Sequence, residues 1–354
     1  MACVAVVVPM PLRTRRARRD TTMEHDETHM RAALDAARDA RLRSRPNPWV
    51  GAVVVTPSGD VHRGSTQAPG SAHAEIEALR AAGDSARGAT LYCTLEPCNH
   101  TGRTGPCTEA IIAAGISRVV VGIEDPDVNV RGAGLARLRA AGIDITVGVL
   151  EGEVTHQLRA YLHHRRTGRP YVVVKMATSI DGRISSTVPG ERWLTGLDAR
   201  TRVHQLRAES DAIAVGAGTV RADDPELTTR LVDGPSPRRD VVGSAPAGAK
   251  VHPCLEWSGE LTDLLDRLGT DGVLQLLVEG GPTLVTSFFD EGHVDEYVLH
   301  LANVVAGGDA RPGMLTGVGD ATALDVVPGD VVGTTVYGDD LEIIFYPRTK
   351  EATR

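Results

Sequence analysis

Three residues spread over 35 positions, His73, Cys98 and Cys107, constrain this chain more than any other feature, because together they make a metal-ligand set of a particular kind. His73 opens the triplet His73-Ala74-Glu75, Cys98 follows Pro97, and Cys107 comes after eight intervening residues. One imidazole and two thiolates supply three ligands to Zn²⁺ and leave the fourth tetrahedral position open, as a catalytic zinc requires and a structural zinc does not. There the metal would hold a water and lower its pKa towards neutrality. Glu75, two residues from the His ligand, is placed to carry the proton that such a water gives up. Singly, a His or a Cys belongs to a packed core and a Glu to a solvated helix face. Together, in this order and beside Thr94-Leu95-Glu96-Pro97-Cys98, they describe a catalytic centre.

An H-x-E triplet followed by Pro-Cys and a second cysteine is the signature of zinc-dependent nucleobase deaminases. That signature ordinarily closes as C-x-x-C, with both thiolates around one helix start. Here the spacing puts Cys98 in a loop at a strand end and Cys107 at the opening of a helix over residues 108–114, so the long gap marks a subfamily. A zinc-binding module without catalysis is the rival reading, and His100 is the residue that would supply its fourth ligand.

Composition narrows the substrate. A formal net charge of −8 lacks the basic face of a nucleic-acid binder, and 3% aromatic residues leave few platforms for stacking single-stranded bases. A small free pyrimidine fits better than DNA or RNA. The five cysteines form no disulfide framework, which points to a reducing cytoplasm; Cys93 reads as core, and Cys3 and Cys254 have no readable role. No apolar run reaches transmembrane length, so no membrane partner is expected. Residues 1–27, with Arg13, Arg15, Arg16, Arg18 and Arg19 after an apolar start, have the reverse polarity of a signal peptide. They read as a disordered extension, with Met23 as a second candidate start.

At 354 residues the chain suits two domains. Over residues 28–150, apolar runs alternate with helical periodicity: helix from His29, strand 50–56, helix 73–82, strand 89–94, helix 107–114, strand 118–123, helix 131–141 and strand 144–149. This pattern predicts an α/β sandwich with a mostly parallel sheet. Residues 151–170 read as a connecting helix and linker, and residues 171–347 as a second α/β domain. Two glycine-rich turns follow strands there, Gly216-Ala217-Gly218-Thr219 and Glu279-Gly280-Gly281-Pro282-Thr283. A strand, a Gly turn and a helix start present backbone N–H groups and a helix dipole to an anion. Such turns often serve geometry alone, but two in one domain suggest a phosphate-bearing cofactor. The G-x-G-x-x-G fingerprint of a Rossmann domain is missing.

After about residue 28 nearly the whole chain resembles one family, the bifunctional riboflavin-biosynthesis proteins known as RibD, a pyrimidine deaminase fused to a reductase. In the first half the resemblance rests on Pro46-Asn47-Pro48-Trp49-Val50-Gly51, His73-Ala74-Glu75 and the stretch from Thr94 to Cys107, whose long gap is this family's form. In the second half it rests on Lys175-Met176-Ala177-Thr178-Ser179-Ile180-Asp181-Gly182-Arg183, Trp193-Leu194-Thr195, Val215-Gly216-Ala217-Gly218-Thr219-Val220, Asp223-Asp224-Pro225 and Val278-Glu279-Gly280-Gly281-Pro282-Thr283-Leu284. Arg45 stands where relatives commonly have His, and Gly105 where they have Pro.

The resemblance implies a cytidine-deaminase-like three-layer sandwich followed by a dihydrofolate-reductase-like domain, with one Zn²⁺ and NADPH as cofactors. It implies deamination at C2 of 2,5-diamino-6-ribosylamino-4(3H)-pyrimidinone 5′-phosphate, then reduction of the ribosyl group to ribityl, in a homo-oligomer. By that resemblance Ala177, Trp193, Thr219, Asp223 and Ser244 contact NADPH, as do the consecutive residues Gly281, Pro282, Thr283, Leu284, Val285, Thr286 and Ser287. Arg207, Leu227, Arg230 and Glu279 would face the substrate, the arginines suiting its 5′-phosphate. A chain with one degenerate half acting as scaffold is the alternative, and assaying each step separately decides between them.

Overall fold

Runs such as Gly51-Ala52-Val53-Val54-Val55 and Val119-Val120-Val121 are apolar on both sides, which suits strands covered on both faces. The computed structural model describes residues 13–100, 105–127, 130–184, 193–308, 312–315 and 327–348, with side chains in the first helix from Met23 onward. Cys3, the inter-cysteine residues Thr101, Gly102, Arg103 and Thr104, and Gly190-Glu191-Arg192 before Trp193 lie outside the described residues. The chain divides into two compact units, one ending at Leu158 and the other beginning at Arg159.

In the first unit the elements run α1 (Arg13–Ala40), β1 (Gly51–Val55), β2 (Val61–Ser65), α2 (Ala74–Ala82), β3 (Thr90–Leu95), α3 (Cys107–Ala113), β4 (Arg118–Ile123), α4 (Ala133–Ala140), β5 (Asp144–Val147) and α5 (Glu151–Gln157). The sheet order is β2-β1-β3-β4-β5, with β3, β4 and β5 parallel and β1 antiparallel to both neighbours. Close approaches fix which helix lies on which face. A Cβ on Gly51 would stand 1.8 Å from the Ala33 carbonyl of α1, and one on Gly64 2.2 Å from the Ala74 carbonyl of α2. Gly64 pairs with Ala52, the neighbour of Gly51, and neighbours on a strand face opposite ways. So α1 covers one face of the sheet and α2 the other, which makes three layers.

The first helix begins well before His29. Asp26, assigned by composition to an extension outside the fold, is 5% exposed and accepts two hydrogen bonds from the Arg118 guanidinium of β4, at 2.8 and 2.7 Å. The Tyr92 hydroxyl donates to the same carboxylate at 3.0 Å. The arginine-rich composition concealed this because the packed face of α1 is carried by a few residues between charged ones. The expected connecting helix is also two helices, α5 and α6 (Arg159–Thr167), interrupted at Leu158. Val154 of α5 is fully buried and lies against Gly122 of β4.

The second unit continues with β6 (Tyr171–Ser179), α7 (Leu197–Glu209), β7 (Ala212–Gly216), α8 (Ala217–Asp223), β8 (Arg238–Val242), β9 (Leu255–Trp257), α9 (Leu261–Thr270), β10 (Gln275–Val278), α10 (Pro282–Asp290), β11 (Glu296–Ala302), β12 (Gly329–Tyr337) and β13 (Asp340–Pro347). Eight strands form one sheet in the order β12-β13-β11-β6-β10-β7-β8-β9, parallel from β11 to β9 and closed at the other edge by the antiparallel pair β12 and β13. Alternation on β6 sends Val172, Val174 and Met176 into an apolar core with Leu264 and Leu268 of α9 and Phe288 of α10. Lys175 and Ala177 consequently point to the opposite face. His300 of β11 and Glu342 of β13 are in register with Ala177, and α7 reaches the same face, Arg202 donating to Glu342 at 3.2 Å. The sequence pattern missed α8, read as a turn, and β9 and β12. β9 has three residues, and β12 is an edge strand that leaves Val331, Val332 and Val336 exposed, so neither shows buried periodicity.

Breaking a buried ion pair by removing one partner leaves the other charge uncompensated. Asp26→Ala is therefore expected to destabilise the first unit by about 3 kcal/mol, measured by chemical denaturation. A change close to zero would return residues before 28 to an extension.

Candidate active sites

Parallel strands deliver side chains to one edge of a sheet, and the helices that follow begin there with unpaired N–H groups. In the first unit His73 is the N-cap of α2, Cys98 lies three residues past the end of β3, and Cys107 is the first residue of α3. The Nδ1 atom of His73 is 3.5 Å from Cys98 Sγ and 3.3 Å from Cys107 Sγ, and the Cys107 backbone N–H donates to Cys98 Sγ at 3.5 Å. With Zn–N near 2.1 Å and Zn–S near 2.3 Å, ligands of one tetrahedral zinc stand about 3.6 Å apart. The donor set therefore fits that ion.

Its charges point the same way. Hydrogen bonding from Cys107 and from His73 draws the Cys98 thiol down to about 4. The neighbouring Cys98, then burial and Glu75, drive the Cys107 thiol far above its ordinary value. Two thiolates side by side repel, and a divalent cation between them is what removes the second proton. Glu75, in the first turn of α2, is 4% exposed; burial, then the Cys98 charge, push its carboxyl up to about 7. His100, the possible fourth ligand, is exposed and does not join the three-residue donor group.

One residue of this site carried a signal that went unused. Glu96, in the Leu95-Glu96-Pro97-Cys98 run, is 4% exposed and accepts N–H groups from Asp125, Gly132, Gly134 and Leu135 at 3.0–3.3 Å. A Cβ on Gly134 would lie 2.0 Å from the Pro97 carbonyl, so this close approach requires glycine. A Glu inside an otherwise buried strand-end run was the available clue.

In the second unit both glycine turns come together. Because β7 and β10 are neighbours, α8 and α10 start side by side, capped by Gly216 and Gly281. The Gly281 N–H donates to Thr219 Oγ1 at 3.0 Å, tying one turn to the other. They border a cavity of about 850 Å³. Of the residues expected at NADPH, the cavity is lined by Ala177, Trp193, Thr219, Asp223, Gly281, Pro282, Thr283 and Leu284. Ser244, Val285, Thr286 and Ser287 do not line it. Ser244 is exposed on the loop past β8, and Val285 is fully buried in the core. The Thr286 and Ser287 hydroxyls donate to the Pro282 and Thr283 carbonyls of their own helix. A helix turns mainly its first turn towards the cavity, and the residues further along this run lie back from the lining.

Arg207, Leu227, Arg230 and Glu279, expected at the substrate, all line the cavity. Arg207 is engaged within the protein. Its Nε and Nη2 each donate to Glu279 at 2.7 Å and its Nη1 donates to the Thr228 carbonyl at 3.2 Å, so three of its five N–H groups are engaged by the protein itself. Arg230, with 47% of its side chain exposed, stands at the rim instead. Leu227 is 3% exposed and holds φ at 56°, a left-handed conformation that disfavours a branched side chain and aims it at the cavity wall. Lys175, Arg200, His204 and Lys250 also line the cavity and were not foreseen as site residues. Lys175 was readable as a lone cation in an apolar strand. Burial lowers its pKa while Glu279, Glu342 and Asp340 counter that effect.

Comparison with known proteins agrees with this geometry. The cytidine and deoxycytidylate deaminase zinc-binding region matches residues 23–123, and the RibD C-terminal domain matches residues 170–341. The riboflavin biosynthesis protein RibD of Bacillus amyloliquefaciens is 34% identical, covering 91% of this chain and 96% of its own. The chain belongs to the RibD family. The Escherichia coli relative is 37% identical over 81% of this chain and 90% of its own. Among solved structures, Acinetobacter baumannii RibD superposes with a TM-score of 0.86 at 32% identity, over 92% of this chain and 100% of that one. A Thermotoga maritima diaminohydroxyphosphoribosylaminopyrimidine deaminase/5-amino-6-(5-phosphoribosylamino)uracil reductase reaches 0.81 at 31% identity, with the same coverage. As members of this family do, the chain joins a cytidine-deaminase-like sandwich to a dihydrofolate-reductase-like domain. It is a bifunctional enzyme of riboflavin biosynthesis, a zinc deaminase and an NADPH-dependent reductase acting on a small molecule. No helix among the described residues is long and apolar enough to cross a membrane.

His204 offers a test of the cavity wall. Its Nδ1 accepts the Arg230 backbone N–H at 2.8 Å, and burial, then Arg207 and Arg230, push its pKa down to about 4. In the unfolded chain it titrates near about 6.5, so as pH falls from there towards 4 the unfolded state takes the extra proton and stability is lost. His204→Ala is thus expected to destabilise the second unit more at pH 7 than at pH 5, read from denaturation at both values. An equal cost at the two pH values would contradict the assignment.

Proposed function

We propose that His73, Cys98 and Cys107 hold the zinc and Glu75 moves protons, for deamination at C2 of 2,5-diamino-6-ribosylamino-4(3H)-pyrimidinone 5′-phosphate. The cavity of the second unit then takes the product and NADPH, reducing the ribosyl group to give 5-amino-6-(5-phospho-D-ribitylamino)uracil. The observation that carries the first step is the convergence of one imidazole, two thiols and a buried carboxyl on adjoining helix starts. The Thermotoga maritima relative's described activity supports the choice of substrate.

Zinc held by this set supplies an electrophilic site and an acidic water. Glu75, with a pKa brought towards neutrality by burial, is suited to take a proton from water and return one to the leaving amine, which departs as ammonia. The exclusion of solvent around Glu75 keeps that proton in the site. In the second unit, NADPH supplies a hydride when bound. The paired N-termini of α8 and α10 would hold its phosphates, and Thr219, bound to the Gly281 N–H, keeps the two turns in register. Arg207 holds Glu279 in place on the cavity floor beside Lys175, where the carboxylate can orient ribosyl hydroxyls. Arg230 and Arg200, at the rim, are placed for the 5′-phosphate. The described cysteines are all free, as suits a reducing cytoplasm. Assembly as a homo-oligomer has a candidate surface in edge strand β12.

Incubation with the diaminopyrimidine phosphate, with and without NADPH, separates ammonia release from NADPH oxidation. Glu75→Gln is expected to lower ammonia release by about 10²–10⁴-fold while retaining bound zinc and reduction of the deaminated intermediate. Equal loss of both activities in a folded, zinc-loaded protein would show that the sites are not independent. Conversely, Glu279→Gln leaves Arg207 without its charge partner and should lower reductase kcat/KM by about 10²-fold, or about 2.7 kcal/mol, with ammonia release unchanged.

A further inference from the structure

Cys254 has no part in either site, yet it is not isolated. Among the described residues two groups of His, Cys and acidic side chains bring three ligand atoms within 4.8 Å of one another: the His73 group, and His252 with Cys254 and Glu256. We propose that His252, Cys254 and Glu256 form a second site for a thiophilic divalent cation, Zn²⁺ above all, at the β9 edge of the eight-stranded sheet.

Three observations support it. First, His252 Nδ1 stands 3.4 Å from Cys254 Sγ, between the two separations of 3.3 and 3.5 Å in the deaminase cluster and equally compatible with one tetrahedral ion. Second, the imidazole is already oriented. Its Nε2 lies 3.0 Å from the Pro246 carbonyl, and a carbonyl can only accept, so the proton sits on Nε2 and the lone pair of Nδ1 faces the thiol. A carbonyl bound to the far nitrogen is the outer partner that metal-ligating histidines ordinarily have. Third, the backbone under the ligands is pinned. Val251 is fully buried, the His252 N–H donates to the Ala249 carbonyl at 3.2 Å, and Leu255 and Trp257 pack against the core while β9 pairs with β8.

The donors also choose the ion. A thiolate and an imidazole favour Zn²⁺ over Mg²⁺ or Ca²⁺, and the carboxylate of Glu256 completes a set of three with one position left to water. Glu256 is exposed and His252 and Cys254 half-buried, so an ion can enter without unfolding the edge. The site has a structural use. The loop that carries Pro246 also carries Lys250, which lines the reductase cavity and whose N–H donates to Asp224 at 2.8 Å. An ion on His252 would hold that loop at its base.

Zinc content measured on the full chain after equilibration with Zn²⁺ and removal of free metal tests the proposal. Two zinc ions per chain are expected, falling to one in Cys254→Ala and to one in the double variant Cys98→Ala, Cys107→Ala. Loaded with Co²⁺ alone, that double variant should show thiolate-to-cobalt absorption, which disappears when Cys254→Ala is added. One zinc per chain with no change in Cys254→Ala overturns the second site, and so does a folded double variant without the cobalt–thiolate band. The deaminase assignment is separate: it fails if the double variant keeps all the zinc of the unaltered protein.

Discussion

The carboxylate of Glu96 collects four backbone N–H groups where almost no water reaches. A buried carboxylate persists only when its lone pairs are filled, and here they are filled from the connection after β4 and the first turn of α4. That bond set clamps the end of β3 against the next connection. Pro97 and Cys98 follow directly, so the first thiol is positioned by a residue that never touches metal. Thr108 N–H donates to the Cys98 carbonyl at 3.2 Å and fixes the start of α3, and with it Cys107, against the same point. Backbone hydrogen bonds thus hold Cys98 and Cys107 against one another.

The second unit solves a different problem with the same architecture. Adjacent parallel strands β10 and β7 end together, so two helices open onto one space and turn their first N–H groups towards it jointly. The opposite wall is built from charges that neutralise one another. Arg207 with Glu279, and Arg202 with Glu342 and His300, line the face that α7 covers, with Lys175 among them. Such pairs order the floor of the cavity and commit the Arg207 guanidinium chiefly to Glu279.

The grouping of His73, Cys98 and Cys107 was legible from the linear sequence because their chemistry is rare and their order is distinctive: an H-x-E, a Pro-Cys and a third donor leave few alternatives. The two glycine turns were legible as strand-to-helix turns for a local reason as well, since a strand, a Gly turn and a helix start are contiguous. Four of the residues carried over to NADPH illustrate the opposite case. Val285, Thr286 and Ser287 follow the turn in sequence but rotate away with α10, and Ser244 lies on a loop whose course no local pattern specifies. Asp26 was hidden for a related reason, as its partner Arg118 lies 92 residues away.

What the sequence by itself determined was identity and order: which residues have metal-binding, proton-transferring or anion-binding chemistry, and that two α/β units follow one another. Only the tertiary structure decided which of them are free to use it. Arginine reads the same in any sequence, but Arg207 is buried against Glu279 while Arg230 pairs with Glu226 on the exposed side of the cavity. A cysteine without a motif has no readable role in sequence, but Cys254 faces an imidazole oriented by a carbonyl six residues earlier. The physical reason is that hydrogen-bond partners and burial are properties of neighbours in space, and local pattern carries almost no record of neighbours brought in by strand pairing and helix packing.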